Sequence, residues 1–478
     1  MTASVASDAD AAPRMADAFE ALRAATRADV NPPLALRQDR LRRLAALLAR
    51  HEREFAADIS ADFGHRSRHE TQFAEALVVE ASIKHALRHL ARWMKPRRVP
   101  TQLHFRPGAN RLLALPLGVV GIVAPWNYPL QLSLAPLVGA LAAGNRAMVK
   151  PSELVPRFSA RLAQAVGAYF NPTEVAIVLG GPDIGERFVA LGFDHLLFTG
   201  STRVGRRVAQ AAAENLTPVT LELGGKSPAI IDPSADLALA ARRIAFGKLV
   251  NAGQTCIAPD YVLCPRDLQE TFVRLFFAAA ARLYGADPRN PDYTAIVNAT
   301  HYARLEGLVA DARAKGARIE TAAGDIAAWK AVGKFPPYVV LDATDDMLLC
   351  REEIFGPILP VLAADDAEAA IAYVNGRDRP LALYWFGADR RARDRVLFAT
   401  VAGGVTVNDC LLHIAQENQP FGGVGASGMG AYHGRWGFRA MSKEKPVFYQ
   451  ARYSGTDLLL PPYGATFDRV IGLVRRLL

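Results

Sequence analysis

Of the four cysteines in this 478-residue chain, Cys256 stands apart. It lies in Asn251-Ala252-Gly253-Gln254-Thr255-Cys256-Ile257-Ala258-Pro259, a polar, glycine-containing turn that follows a helical pattern. Cys264, in Tyr-Val-Leu-Cys, has the apolar neighbours of an ordinary buried cysteine. An exposed thiol between a helix and a strand suits a nucleophile. Free cysteine titrates near 8.5, so only about 3% is thiolate at pH 7. A nearby base or a dipole field has to raise its reactivity.

Lys150 is a second candidate. In Val149-Lys150-Pro151-Ser152-Glu153 it ends an apolar strand pattern, and strand ends in α/β sheets face the ligand crevice. Its ammonium and the Glu153 carboxylate could hydrogen-bond ribose hydroxyls, or form no more than a surface ion pair. Phe198-Thr199-Gly200-Ser201-Thr202-Arg203-Val204-Gly205 runs from a strand pattern into a helix. Amides around Gly200, Ser201 and Gly205 could there face a pyrophosphate, although many such turns merely connect elements.

Two near-matches fail on context. Gly423-Val424-Gly425-Ala426-Ser427-Gly428 satisfies G-x-G-x-x-G, but no strand pattern precedes it. Gly225-Lys226-Ser227 resembles the end of a P-loop, but the first glycine of that motif falls on Thr220. The pairs His65/His69 and His85/His89 have no third ligand or HExxH pattern and read as helix surface, so no metal is expected.

These residues need elements to hold them. Residues 14–94 look helical, with Leu41, Leu44, Leu47 and Leu48 at 3.6-residue spacing. From Gly118 short apolar runs alternate with helical patterns. Candidate strands are Val119–Val123, Ala147–Lys150, Val175–Leu179, His195–Thr199 and Val219–Leu223. The second half repeats the texture: a helix from Asp236 to Asn251, then strands at Tyr261–Cys264, Ile358–Leu362, Leu381–Phe386 and Gly404–Asn408. Such alternation predicts an α/β fold of two doubly wound open sheets with a ligand crevice between them. Thr101–Leu115 and Val447–Tyr453 fit neither sheet and read as an arm that pairs with another subunit.

Composition narrows the classes. Hydrophobic residues make up 51% and charged residues 22%, a globular balance. The 56 Lys and Arg exceed the 47 Asp and Glu, for a net charge of +9, but the basic residues are interspersed with acidic ones. A nucleic-acid binder needs clustered basic residues with exposed aromatics, and neither is evident. Leu112 to Asn145 carries no charge, yet its four prolines argue against a membrane span and for a buried strand, turn and helix. Met1 to Arg14 lacks a signal pattern, and the few cysteines lack CxxC spacing; a reduced, cytoplasmic protein is expected.

Four motifs then occur in one order. Pro125-Trp126-Asn127-Tyr128-Pro129, Leu221-Glu222-Leu223-Gly224-Gly225-Lys226-Ser227-Pro228, Gly253-Gln254-Thr255-Cys256 and Glu352-Glu353-Ile354-Phe355-Gly356-Pro357 together resemble the aldehyde dehydrogenase superfamily. The resemblance covers nearly the whole chain. Cys256-Ile257-Ala258-Pro259-Asp260-Tyr261 and Pro420–Gly430 look like its class 3 branch, which takes fatty, aromatic and coniferyl aldehydes. Pro461-Pro462-Tyr463-Gly464 resembles the bacterial coniferyl type.

The resemblance implies roles. Cys256 attacks the aldehyde, the Asn127 amide and the Cys256 N–H hold the oxyanion, and Glu222 activates the water that hydrolyses the thioester. Glu353 and Phe355 position the nicotinamide ribose and ring, while Lys150 and Glu153 hold the adenosine ribose. The cofactor is NAD or NADP, with NAD favoured because Glu153 repels a 2′-phosphate. Tyr128 and Phe246 line an aromatic-friendly tunnel or belong to the core. A CoA-acylating enzyme would share the thioester step, and a non-catalytic member would lack the Cys, Asn or Glu present here. Implied too are a Rossmann-like cofactor domain (residues 1–96 and 117–224), a catalytic domain (225–418), a β oligomerisation arm (97–116 and 440–455), a tail (456–478) and a homodimer. In that tail Val470, Ile471, Val474, Leu477 and Leu478 can share one helical face. The helix is too short to span a bilayer and is expected to pack on the same molecule or its partner.

Overall fold

The computed structural model describes residues 8–477; the start of the Met1–Arg14 stretch and Leu478 lie outside the described residues. The helical first section begins with Asp8–Ala28 and Leu34–Asp62. The second of these buries Leu41, Leu44, Leu47, Leu48, Phe55 and Ile59 along one stripe. A short α-turn at Arg68–Thr71 passes into a π-turn at Gln72–Ala76 before the helix Leu77–Trp93. The wider π-turn changes the register, and Glu70 and Glu75 are both buried.

A six-stranded sheet follows, in the order Gly428–Met429, Val219–Glu222, His195–Thr199, Val119–Val123, Arg146–Lys150, Val175–Ile177. All pairs are parallel except the first, where Gly428 lies opposite Glu222. Alternate residues enter different cores. Val120, Ile122, Val149 and Leu197 join the central core, whereas Val119, Met148, Leu196 and Phe198 pack with Met15, Phe19 and Leu22 of the first helix. Both faces are therefore covered, as a parallel sheet requires.

The seven-stranded sheet runs Arg318–Thr321, Tyr338–Leu341, Ile358–Ala363, Tyr261–Cys264, Pro228–Ile231, Ala382–Phe386, Gly404–Val407, and only its first pair is antiparallel. Its alternation is the same: Ala229, Val262 and Tyr384 face the central core, and Ile230, Leu263 and Trp385 face the opposite side. The molecule is a pair of Rossmann-like α/β sheets joined by one shared core. Arg97–Val99, Ala109–Pro116 and Ser442–Tyr449 make a separate antiparallel sheet in which Pro116 to Ala109 pair with Ser442 to Tyr449.

Several details differ from the sequence reading. The strands Pro228–Ile231, Arg318–Thr321 and Tyr338–Leu341 went unread. The first starts on a proline after a Gly-Gly-Lys-Ser turn, the second is a half-polar edge, and the third follows two prolines. The uncharged stretch does fold as read, into the strand Val119–Val123, a turn and the buried helix Pro129–Ala143, which holds Pro136. No helix among the described residues is long and apolar enough to cross a membrane. Ala465–Leu477 is helical, but within this chain it packs chiefly on Gly455–Leu459 and leaves Leu473 58% exposed.

Candidate active site

The helix Leu237–Leu249 ends in a turn of left-handed residues: φ is 51° at Asn251, 52° at Ala252 and 74° at Gly253. Non-glycine residues hold that conformation only when their surroundings over-determine it. Here the surroundings are polar and largely engaged, Asn251 Oδ1 alone in this turn being buried without a partner. The Asn251 N–H donates to Glu70 Oε2 at 3.0 Å, and the Asn251 side-chain amide donates to the carbonyls of Asn127 (3.0 Å) and Gln254 (3.1 Å). The Gln254 amide donates to the carbonyls of Asn251 and Ala295, and its oxygen accepts the Val297 N–H. At Gly253 a Cβ would lie 2.5 Å from the Gly356 carbonyl oxygen, so only glycine fits.

This turn presents Cys256, though not as an exposed thiol. The residue is half-buried, and burial pushes the thiol up to about 12, with the carboxylates of Glu353 and Glu222 adding to the shift. The backbone N–H groups of Cys256 and Ile257 point at the sulfur and oppose it. The sequence expectation of an exposed thiol is corrected because the polar neighbours satisfy one another inside the protein. Cys264, Cys350 and Cys410 are buried and unpaired.

Asn127 follows the strand Val119–Val123 and is buried just ahead of Pro129–Ala143. Its Nδ2 donates to the Gln254 carbonyl at 3.1 Å, leaving the second amide proton for a ligand. Glu222 ends its strand, pairs with Thr199 and Gly428, and is 3% exposed. Neither of its carboxylate oxygens has a hydrogen-bond partner, and burial raises the group well above the usual carboxylate range. The Tyr432 hydroxyl is also buried without a partner and is pushed up, first by burial and then by Glu222 and Cys256.

Glu353 lies against Gly224, where a Cβ would overlap its carboxylate, and it accepts from the Gly225 N–H. Burial and then Asp260 push Glu353 up to about 8. Phe355 has φ 50° and packs edge-on to Trp126 with ring centroids 5.5 Å apart. Arg304 ties this segment down by donating to the carbonyls of Glu353 and Ile354.

Lys150 is buried at the end of Arg146–Lys150, 3.5 Å from the Glu153 carboxylate, whose side chain is 41% exposed. Beside them is a cavity of about 610 Å³ lined by Arg14, Ser152, Glu153, Gly180 and Gly181. Ser201 caps the helix Thr202–Glu214 by accepting the Val204 N–H at 3.4 Å. A side chain at Gly200 would strike the Phe198 ring, and one at Gly205 would strike Leu223. A helix N-terminus, a buried ammonium at a strand end and this cavity fit a dinucleotide.

Tyr128 is buried; its hydroxyl meets Thr255 Oγ1 at 2.7 Å, and the Arg66 guanidinium lies 4.9 Å above its ring. Phe246 is half-buried and leans on Phe73, which is 43% exposed, with centroids 6.2 Å apart. Sequence reasoning missed Arg66, Glu70, Glu75 and Lys248, all buried beneath the site. Their only signal is charge inside helical stretches, which normally marks a solvated face.

Residues 2–447 match the aldehyde dehydrogenase family, and the chain belongs to it. The protein is therefore an oxidoreductase that oxidises aldehydes. Over 457 residues it is 48% identical to the probable coniferyl aldehyde dehydrogenase of Caulobacter vibrioides, covering 94% of each chain. It is 46% identical over 446 residues to the coniferyl aldehyde dehydrogenase of Pseudomonas sp., covering 92% of each. Staphylococcus aureus AldH, solved in a substrate-bound state, superposes with a TM-score of 0.91 at 36% identity, covering 96% of this chain and 99% of that one. The indole-3-acetaldehyde dehydrogenase AldA of P. syringae, solved with NAD+, gives 0.84 at 26% identity over 92% of this chain and 89% of that one.

Proposed function

We propose that the enzyme oxidises bulky aromatic aldehydes of the coniferaldehyde type to their acids through a thioester on Cys256, with NAD as the favoured cofactor. The observation that carries this reading is the convergence of the Cys256 thiol, the Asn127 amide and the unpartnered Glu222 carboxylate in one buried polar turn.

The same burial that raises the thiol also raises the proton affinity of Glu222. Glu222 takes the thiol proton as sulfur bonds to the aldehyde carbon, and the carbonyl oxygen becomes an oxyanion. Asn127 Nδ2 and the Cys256 N–H donate to that oxygen; one such donor is worth about 2.7–4 kcal/mol in the transition state. The bound nicotinamide supplies the hydride acceptor, which leaves a thioester on Cys256. Glu222, after releasing its proton, takes one from water as the water oxygen attacks the thioester. The C–S bond then breaks, giving the acid and the free cysteine.

Lys150 and Glu153 would hold the adenosine ribose, Gly200, Ser201 and Gly205 the pyrophosphate turn, and Glu353 and Phe355 the nicotinamide end. Glu153 accepts from a free 2′-hydroxyl and repels a 2′-phosphate, which supports NAD. Tyr128 and the Phe246–Phe73 pair supply aromatic surface for a ring-bearing substrate. The sheet edge Ser442–Tyr449, with Phe448 and Tyr449 about half exposed, supports pairing with a second copy as a homodimer. A nucleophile that must stay a free thiol suits the reducing cytoplasm. Turnover of coniferaldehyde, benzaldehyde and a long-chain aldehyde side by side tests the substrate. A higher kcat/KM for the long-chain aldehyde overturns the aromatic preference.

A further inference from the structure

We propose that Arg66, fixed by Glu75, is a positioning residue that sets the place of the Asn127 oxyanion donor relative to Cys256. Arg66 follows the helix Leu34–Asp62 and is 1% exposed. Its Nη1 donates to the Asn127 carbonyl at 2.7 Å, and its Nη2 lies 3.2 Å from Glu75 Oε1. The guanidinium packs against the Phe63 and Tyr128 rings, 5.2 and 4.9 Å from their centroids. The cation is held by one hydrogen bond, from Nη1, by its charge against Glu75, and by two aromatic rings; Nη2 and Glu75 Oε1 form an ion pair without a hydrogen bond.

Glu75 fixes the other end. Its Oε2 accepts the N–H groups of Leu130 (2.8 Å) and Gln131 (3.1 Å), which open the helix directly after Asn127. Arg66 therefore grips Asn127 by its carbonyl while Glu75 grips the next turn by its amides. Glu70, four residues from Arg66, accepts the Asn251 N–H and the Thr294 hydroxyl, and so holds the cysteine turn. The two halves of the oxyanion hole come from distant segments, and this one charged cluster fastens both. Ion pairs buried this completely contribute little net stability, so their value here is geometric.

The inference rests on the roles proposed for Asn127 and Cys256 and adds a residue that touches neither substrate nor cofactor. Arg66→Met, Arg66→Lys, Asn127→Ala and the Arg66→Met/Asn127→Ala double variant would be compared for kcat, KM and NADH affinity by fluorescence. Arg66→Met should lower kcat about a hundredfold, the effect of moving a catalytic group by about 1 Å. NADH affinity should hold, and Arg66→Lys should recover part of the loss. The double variant should be no slower than Asn127→Ala alone, because Arg66 acts through Asn127. If Arg66→Met does not fold, Glu75→Gln keeps the caps on Leu130 and Gln131, turns an amide toward Arg66 and should show the same kcat loss. Additive losses, a kcat loss under about tenfold, or a parallel loss of NADH affinity would overturn the inference. Full activity in Asn127→Ala would overturn the catalytic reading itself, whereas an inactive Asn127→Ala beside an active Arg66→Met removes only Arg66.

Discussion

The side-chain amides of Asn127 and Asn251 converge on one acceptor, the Gln254 carbonyl, each at 3.1 Å. One asparagine follows the strand Val119–Val123 of the six-stranded sheet and the other lies in the cysteine turn. Their shared acceptor makes the proposed oxyanion donor and the turn of the proposed nucleophile parts of one hydrogen-bonded unit. Displacing either moves both.

Cys256→Ala should lower dehydrogenase turnover by at least about a thousandfold while NADH binding persists. Cys264→Ala and Cys410→Ala should keep activity but lose about 0.5–3 kcal/mol of stability, since both thiols fill packed core. Urea unfolding and steady-state kinetics on the same preparations check this. Turnover surviving in pure Cys256→Ala removes the nucleophile assignment.

Glu222→Gln should slow thioester hydrolysis more than acylation. Stopped-flow absorbance is expected to show a burst of NADH followed by a very slow steady state. Equal loss of both phases would mean that Glu222 chiefly activates the thiol.

Glu70 should give stability a pH dependence. Burial, opposed by Arg66, raises this carboxyl from 4.5 to about 7. The folded chain then holds the proton more tightly than the unfolded chain, so stability falls as pH rises from about 5 to about 7 and levels off above. Glu70→Gln should flatten part of that slope in urea midpoints measured across the range. Coincident slopes for the two proteins would count against it.

Gly224→Ala should push the Glu353 carboxylate off its seat, because the added methyl occupies its position. The expected result is a KM for NAD raised about tenfold, roughly 1.4 kcal/mol, with aldehyde KM little changed. An unaltered KM for NAD would show that Glu353 does not hold the cofactor.

The apolar runs His195–Thr199 and Ala382–Phe386 were legible because buried parallel strands carry continuous hydrophobic sequence. The cysteine turn was legible because Asn251, Gly253 and Gln254 are odd residues to follow an apolar helix. What polar neighbours concealed was its burial: they satisfy one another rather than water. Arg66, Glu70 and Glu75 were hidden for a related reason. A π-turn cannot be read from 3.6-residue periodicity, and without it nothing in the sequence turns both glutamates inward.

The pairing of Gly428 with Glu222 has a consequence for synthesis on the ribosome. The strand that carries Glu222 gains its outer neighbour only when a segment close to the end of the chain arrives, and Ser427 then accepts the Leu223 N–H. Until then the outer edge of that strand has no partner. A growing chain therefore carries Cys256 before the strand of Glu222 has its outer neighbour. Long-range pairings of this kind form late and slowly, so the site proposed around Glu222 is completed only when Gly428 pairs with it, after the strands between them in sequence have been made.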